Sequence, residues 1–484
     1  MIHIPLLRRG TPYESVEKTT LVHHATGEPI ASLSLANSGL LVRDIHQLDD
    51  TILERFSTAD LIARCKRAAE LFATAALPLG DAAQSFDDYV RCLSATTGMP
   101  VTYCHTNAGK IRHVMANINT VLAGLTRGLD LEILDRGHGV TEGRTVSFYR
   151  EGRIFGAVLP SNSPGVHALW IPAVVLKAPI VLKPGREEPW TPLRIIAALI
   201  AAGFPAEAFG FYPTDHAGAG ELLRSVDRAM LFGDASTTRP YANDRRIELH
   251  GPGYSKVILG PDAADEWERH IDVMVSSISA NAGRSCINAS AVWTPRHGRK
   301  IADALAARLA KVEALPADDG RAEIAAFANA DMAERISLTI DAGLREPGAA
   351  DLTEALRGSR RLVKRGRCAW LLPTIIWIDP AAGSAAPRAA DEPHPLANRE
   401  FLFPFASVVE RPAKHIPGEI GSSLVVTAIT RDKRFIEALM ASANVDRLNI
   451  GPIPTWQLAW DQPHEGNLFE LLYHQRAFQS REVA

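Results

Sequence analysis

IFGAVLPSNSPGVHALWIPAVVLKAPIVLKPG, residues Ile154 to Gly185, is where short apolar runs separated by helical segments begin. That alternation is how a parallel sheet with crossover helices reads in sequence. The expected strands are Ile154 to Leu159, Ile180 to Leu182, Phe209 to Tyr212, Ala229 to Phe232 and Ile247 to Leu249. The best-marked crossover is Thr191 to Ala202. Thr191 can cap it, Pro192 suits the first helical position, and Leu193, Ile196, Ala197 and Ile200 share one face before Gly203 and Pro205 stop it. Open sheets of this kind bind ligands beyond the carboxyl ends of their strands, which directs attention to Ser161, Asn162, Lys183, Pro213 and Gly233.

Upstream, the first 130 residues read as helical packing, with stretches such as Thr58 to Leu77 and Ile111 to Leu125. Downstream, a second αβ region runs from about Lys256 to Val445. It opens with a strand, Lys256 to Leu259, and a long helix, Asp265 to Ala280, that ends in a polar loop containing Cys286. The Ala-, Pro- and Gly-rich stretch from Asp379 to Asn398 reads as a surface loop before a strand at Phe405 to Val409. Arg144 to Tyr149 alternates like a half-exposed strand, and Phe469 to Phe478 is a candidate partner for it. Such an edge ribbon suits oligomerisation. Gly218-Ala219-Gly220 is an incomplete glycine-rich loop and reads as a turn.

A chain of 484 residues exceeds what one hydrophobic core supports, so two or three domains are expected. Fifty-two Lys and Arg against 55 Asp and Glu leave no basic excess to point at nucleic acid or anionic lipid. The longest apolar stretch, Ala168 to Leu182, is interrupted by Pro172, Lys177 and Pro179 and cannot supply a membrane span. The start, MIHIPLLRRG, does not read as a secretory signal, and a cytoplasmic protein is expected. Five cysteines without CxxC spacing suggest neither a disulfide framework nor a zinc site. If a cysteine matters, it matters alone.

Asn281-Ala-Gly-Arg-Ser-Cys286 puts a thiol in a short polar loop directly after a helix, the access that a nucleophile needs. It stands in ordered company. LPSNSPG (Leu159 to Gly165), IVLKPG (Ile180 to Gly185), LFGDAS (Leu231 to Ser236), IELHGPG (Ile247 to Gly253), NAGRSC (Asn281 to Cys286) and REFLFPF (Arg399 to Phe405) follow one another in that order. Together they resemble the aldehyde dehydrogenase superfamily. The resemblance implies an α/β fold with a Rossmann-type cofactor domain (1–138 and 154–252), an αβ catalytic domain (253–455) and a small β oligomerisation segment (139–153 and 456–484).

It further implies that Cys286 attacks an aldehyde carbonyl and that Asn162 donates a hydrogen bond to the oxyanion that forms. Glu248 resembles the general base that activates water against the thioester. Its motif departs from the family's Leu-Gly-Gly-Lys continuation, because His250 puts bulk where glycine is customary. Lys183 resembles the lysine that bonds the adenosine ribose, and Glu400 the glutamate that holds the nicotinamide ribose, with Phe403 in a place where glycine is usual. Gly233 begins the turn that should meet the pyrophosphate. Ser161 and Ser236 join the cofactor-binding set. Three residues after Lys183 stands Arg186, whose guanidinium suits a 2′-phosphate and favours NADP over NAD, although Glu187 beside it leaves both open. Trp293, Trp456 and Trp460 are weighed as tunnel residues against plain packing, with packing favoured.

The expected reaction is aldehyde to carboxylate with NAD or NADP, in a homodimer or homotetramer. A CoA-acylating aldehyde dehydrogenase, working as an acyl-CoA reductase, is the nearest rival, and a non-catalytic descendant is the other. The aldehyde itself is not legible.

Overall fold

The computed structural model describes residues 2–379 and 394–479, so most of the loop expected at 379–398 lies outside the described residues. Phe155–Val158 is the third strand of a seven-stranded sheet and the middle one of its five parallel strands. In spatial order the sheet runs Ile247–His250, Arg228–Phe232, Phe155–Val158, Ile180–Lys183, Phe209–Phe211, Leu6–Arg8 and Thr11–Tyr13. The first five strands are parallel and the last two antiparallel. Every residue of Phe155–Val158 is buried, as expected where helices cover both faces. The chain leaves this strand toward Ile180–Lys183 and returns on its other side as Arg228–Phe232. The order therefore reverses at Phe155–Val158, which opens a crevice beyond its carboxyl end.

A second seven-stranded sheet holds Ala349–Asp351, Thr374–Ile378, Phe405–Glu410, Ala291–Thr294, Lys256–Leu259, Ser423–Ile429 and Val445–Ile450 in that order, parallel except at its first pair. A three-stranded ribbon pairs Tyr473–Arg476 with Arg144–Arg150, and Arg144–Arg150 with His138–Thr141. No helix among the described residues is long and apolar enough to cross a membrane.

Several local expectations need correction. Residues 2–34 are not helical: they form five short strands, from Ile2–Ile4 to Pro29–Ser34, and two of these extend the first sheet. Helices begin later and include Thr58–Thr74, capped by Ser57, and Ile118–Leu125. Thr191 does not cap its helix, which starts at Trp190. Glu188 Oε1 takes the Thr191 N–H at 2.8 Å, while its Oε2 lies 2.6 Å from His167 Nε2. One buried carboxylate thus ties the turn after Ile180–Lys183 to the turn after Phe155–Val158. The helix expected at Asp265 to Ala280 is broken, with a 3-10 segment Ala264–His270 preceding the α-helix Ile271–Ser279. Gly218 and Gly220 lie inside the helix His216–Ser225, which Asp215 caps. Phe469 to Phe478 is strand only over Tyr473–Arg476, because Asn467 caps a helical turn at Leu468–Leu472.

Candidate active site

The crevice is a cavity of about 480 Å³. Its wall includes Pro160, Ser161 and Asn162 after Phe155–Val158, Gly233 and Asp234 after Arg228–Phe232, and His250, Gly251 and Pro252 at the end of Ile247–His250. The second domain closes it with Arg284, Cys286, Glu400, Phe401 and Leu402. Of the residues singled out in the sequence, the fold brings Cys286, Asn162, Ser161, Gly233 and Glu400 to one cavity. Lys183, Arg186, Ser236 and Glu248 do not line it.

The cysteine loop is built from a sharp reversal. After Ile271–Ser279 the backbone takes the left-handed region at Asn281, Ala282 and Gly283, with φ of 54°, 58° and 66°. Such a conformation costs about 1–3 kcal/mol per non-glycine residue and has to be held by its surroundings. Gly283 allows the close approach, since a Cβ there would overlap the backbone at Phe403 and Pro404. Gly253 is pressed against Cys286 in the same way, a Cβ there overlapping the Cys286 carbonyl, to which Ser255 Oγ donates at 2.8 Å. The Asn162 amide donates to the Arg284 carbonyl at 2.8 Å, two residues before the cysteine. Burial pushes the Cys286 thiol well above its usual range, and the charges of Glu465 and Glu400 add to this.

Glu248 faces a partner of its own. Its Oε1 lies 3.1 Å from His250 Nε2, and the other ring nitrogen of His250 meets Glu465 Oε2 at 2.7 Å, off the line of a good hydrogen bond. The ring stacks on Phe232 with centroids 4.3 Å apart. Burial works against charge on this imidazole, but Glu465 and Glu248 outweigh it and lift its pKa to about 9. A Cβ at Gly466 would overlap Glu248 Oε2, so the 465–466 turn packs directly on that carboxylate.

Toward the cofactor side, Glu400 is deeply buried and its pKa is pushed up to about 8, mainly by burial. Its Oε2 accepts the Tyr254 N–H at 2.6 Å. Ser161 Oγ accepts the Glu187 N–H at 3.2 Å, and Arg186 is exposed. Burial lowers the Lys183 ammonium pKa. Asp234 accepts Ser236 Oγ at 2.7 Å, Thr237 N at 2.9 Å and Thr237 Oγ1 at 3.0 Å, bonds that hold its carboxyl below the usual range. The one-turn helix Ala235–Thr238 therefore starts on the protein's own anion. Phe403 is not on the cavity wall but in the core of the second domain, beside Phe401 and Phe405. Trp293 is core as well, whereas Trp456, like Cys286, packs against the small cluster of Ile287, Leu424 and Val425 and donates to Ser276 Oγ at 2.8 Å. Trp460 lies against the core of the first domain.

Sequence reasoning missed Arg284 and Glu465. Arg284 lies over the Phe327 ring at 4.8 Å and donates to the carbonyls of Thr97 and Ala326, with burial lowering its pKa to about 10. Its place in NAGRSC was a usable signal. Glu465 had none.

Comparison with known proteins agrees with this fold. One relative, the mitochondrial aldehyde dehydrogenase of Leishmania tarentolae, is 26% identical over 151 residues, which cover 29% of this chain and 30% of that protein. The curated relatives are thus matched over about 30% of their length. The fold is shared with the NAD-dependent aldehyde dehydrogenase of Sinorhizobium meliloti (TM-score 0.78, 16% identity, 98% of this chain and 94% of that one). It is also shared with an NADP dependent enzyme of E. coli (TM-score 0.75, 16% identity, 99% and 98%). The model of the aldehyde dehydrogenase family matches residues 12–380, about three quarters of the sequence, and the chain belongs to that family.

Proposed function

We propose that the protein oxidises an aldehyde, with Cys286 as nucleophile and a nicotinamide dinucleotide as hydride acceptor. The observation that carries this reading is the meeting of Cys286 and Asn162 on one cavity at the point where the strand order reverses. In the first step Cys286 gives up its proton and its sulfur adds to the carbonyl carbon, leaving negative charge on oxygen. The Asn162 amide carries two N–H groups. One is engaged by the Arg284 carbonyl, and the other is available to the oxyanion.

The residues fit a nicotinamide nucleotide at the cysteine end. A Cβ at Gly251 would meet nothing closer than Thr238 Oγ1 at 3.7 Å, so a flat group can approach that backbone. Ser161, Gly233 and Glu400 are the groups that would hold it. The fit stops at Asp234, whose carboxylate already occupies the helix start, and no phosphate is assigned to that turn. A bound nicotinamide would supply a hydride acceptor for the carbon attached to Cys286, and the cysteine would then hold the acyl group as a thioester. The preference for NADP rests on Arg186 alone.

For the thioester, hydrolysis with Glu248 as base remains the first reading. Transfer to CoA is the second, and the bond between Glu248 and His250 favours it, because that carboxylate is engaged by an imidazole and is not itself on the cavity wall. We also propose a homo-oligomer formed through the ribbon, where Val140, Tyr149 and Phe478 are exposed.

The test is a panel of short, long and aromatic aldehydes with NAD or NADP, with and without CoA, following reduced nicotinamide by absorbance and products by mass. Carboxylate formed without CoA supports hydrolysis. Turnover only with CoA supports acyl transfer, and silence across the panel overturns the oxidation itself.

A further inference from the structure

Asn281 sits where four elements meet, and its side-chain amide is used at both ends. Its Oδ1 accepts from Asn107 Nδ2 at 2.7 Å, on the helix Val101–Ala116 of the first domain. Its Nδ2 donates to Ser163 Oγ at 3.0 Å and to Ser285 Oγ at 2.7 Å. Ser163 follows Asn162 and Ser285 precedes Cys286, and the two hydroxyls lie 3.4 Å apart. The network continues through the Ser285 N–H, which donates to Asn288 Oδ1 at 2.9 Å. Asn281 is 6% exposed, so these bonds stand in a medium where polar partners are strongly directional. Asparagine is also among the few residues at ease in the left-handed conformation that Asn281 takes at φ 54°.

We propose that Asn281 is a positioning residue that sets the Asn162 amide and the Cys286 sulfur in register across the domain boundary, through Ser163 on one side and Ser285 on the other. The inference rests on the roles proposed above for Cys286 and Asn162. It does not require that the natural substrate be an aldehyde. Asn107 orients the Asn281 amide, because a carbonyl oxygen turned toward the helix leaves the NH₂ group facing both hydroxyls.

Two reagents separate alignment from mere access. With p-nitrophenyl acetate, the Cys286 thiolate adds to the ester carbonyl, the oxygen becomes an oxyanion that needs the Asn162 donor, and p-nitrophenolate leaves as the thioester forms. The thiol proton is lost to solvent. With iodoacetamide, a sulfur–carbon bond forms and iodide leaves, and no oxyanion arises. Both rates are read on the Cys286 peptide by mass, in the full-length wild type and in Asn281→Gly, since glycine keeps the left-handed backbone without strain.

The expected result is a fall in acylation of at least about tenfold with alkylation held within about twofold, and a similar ratio in Asn162→Ala. The double variant should lose little more than either single one, as coupled residues do. An unchanged ratio overturns the proposal, as does an equal fall in both rates, which is what a structural role alone would give. A wild-type Cys286 that the ester does not acylate overturns it as well. If Asn281→Gly does not fold, Ser163→Ala and Asn107→Ala are read by the same ratio, and an unchanged ratio in both overturns it. An aldehyde panel that stays silent while the ester remains sensitive to Asn281 would remove the oxidation and leave this inference standing.

Discussion

Glu248 and His250, two residues apart on one strand end, share a bond of 3.1 Å that engages the carboxylate with an imidazole which itself lines the cavity of Cys286. Side chains two apart in a strand share a face, so the pairing follows from the strand itself. Removing the histidine is therefore a test of the base. His250→Gly should raise hydrolytic turnover if Glu248 is the base, and Glu248→Gln should then preserve a first burst of reduced nicotinamide while slowing the steady state. A steady state unchanged by Glu248→Gln removes that residue from the role.

The same imidazole gives a pH signature. Its pKa of about 9 in the fold exceeds the 6.5 of a free imidazole. The stability that it contributes is full below about pH 6.5 and is lost as the pH rises through about 9. The shift corresponds to at most roughly 3 kcal/mol. Melting temperatures of wild type and His250→Gln should differ most near pH 6 and converge toward pH 9.5; a gap that widens with pH contradicts the assignment.

Cys286 should be a slow nucleophile in the free protein. Burial together with Glu465 and Glu400 holds it as a thiol at neutral pH, so its alkylation should keep climbing above pH 9. Glu465→Gln removes one of those charges and should accelerate alkylation at pH 8. A rate that reaches its plateau near neutrality would mean that the thiolate is stabilised by something other than the groups described.

Turnover should disappear in Cys286→Ala while nucleotide binding survives, and should fall about 100-fold in Asn162→Ala, the usual cost of one oxyanion donor. Measured by steady-state kinetics, a loss in Asn162→Ala confined to KM would contradict the oxyanion role.

Gly253→Ala is expected to be costly because of where it lies. The new methyl group would overlap the Cys286 carbonyl, and relief requires the cysteine loop or the segment 251–255 to shift. A destabilisation of about 1–3 kcal/mol in chemical denaturation, with loss of Cys286 acylation, is the expected outcome. Full activity would show that the loop tolerates displacement.

The five parallel strands of the first sheet were legible because each is a short apolar run closed by a turn, and in the second sheet Lys256–Leu259 was read to the residue. The N-terminal strands were not, since Leu6–Arg8 and Thr11–Tyr13 are three residues each and gain their conformation by joining a sheet whose core is formed some 150 residues later. Thr191 was misjudged as a cap because the actual partner, Glu188, is recruited by a buried histidine rather than by any local motif. Of the residues singled out at strand ends, Ser161, Asn162 and Gly233 line the cavity, whereas Lys183 and Pro213 do not. Glu465 could not be read, because only the tertiary fold brings it to His250. Lys183 ends its strand and Arg186 lies in the turn that follows, and neither is on the cavity wall.

Glu465 also sets an order of events. It is added about 180 residues after Cys286, roughly 10–35 s later at ordinary rates of translation. During that interval the emerging chain carries Cys286 without one of the two carboxylates whose charge raises its pKa, and without the partner of the second nitrogen of His250. The surroundings of Cys286 are thus complete only once residue 465 has been added, and a ribosome stalled before residue 465 would hold a cysteine that is easier to ionise, and so to oxidise or modify, than the folded protein presents.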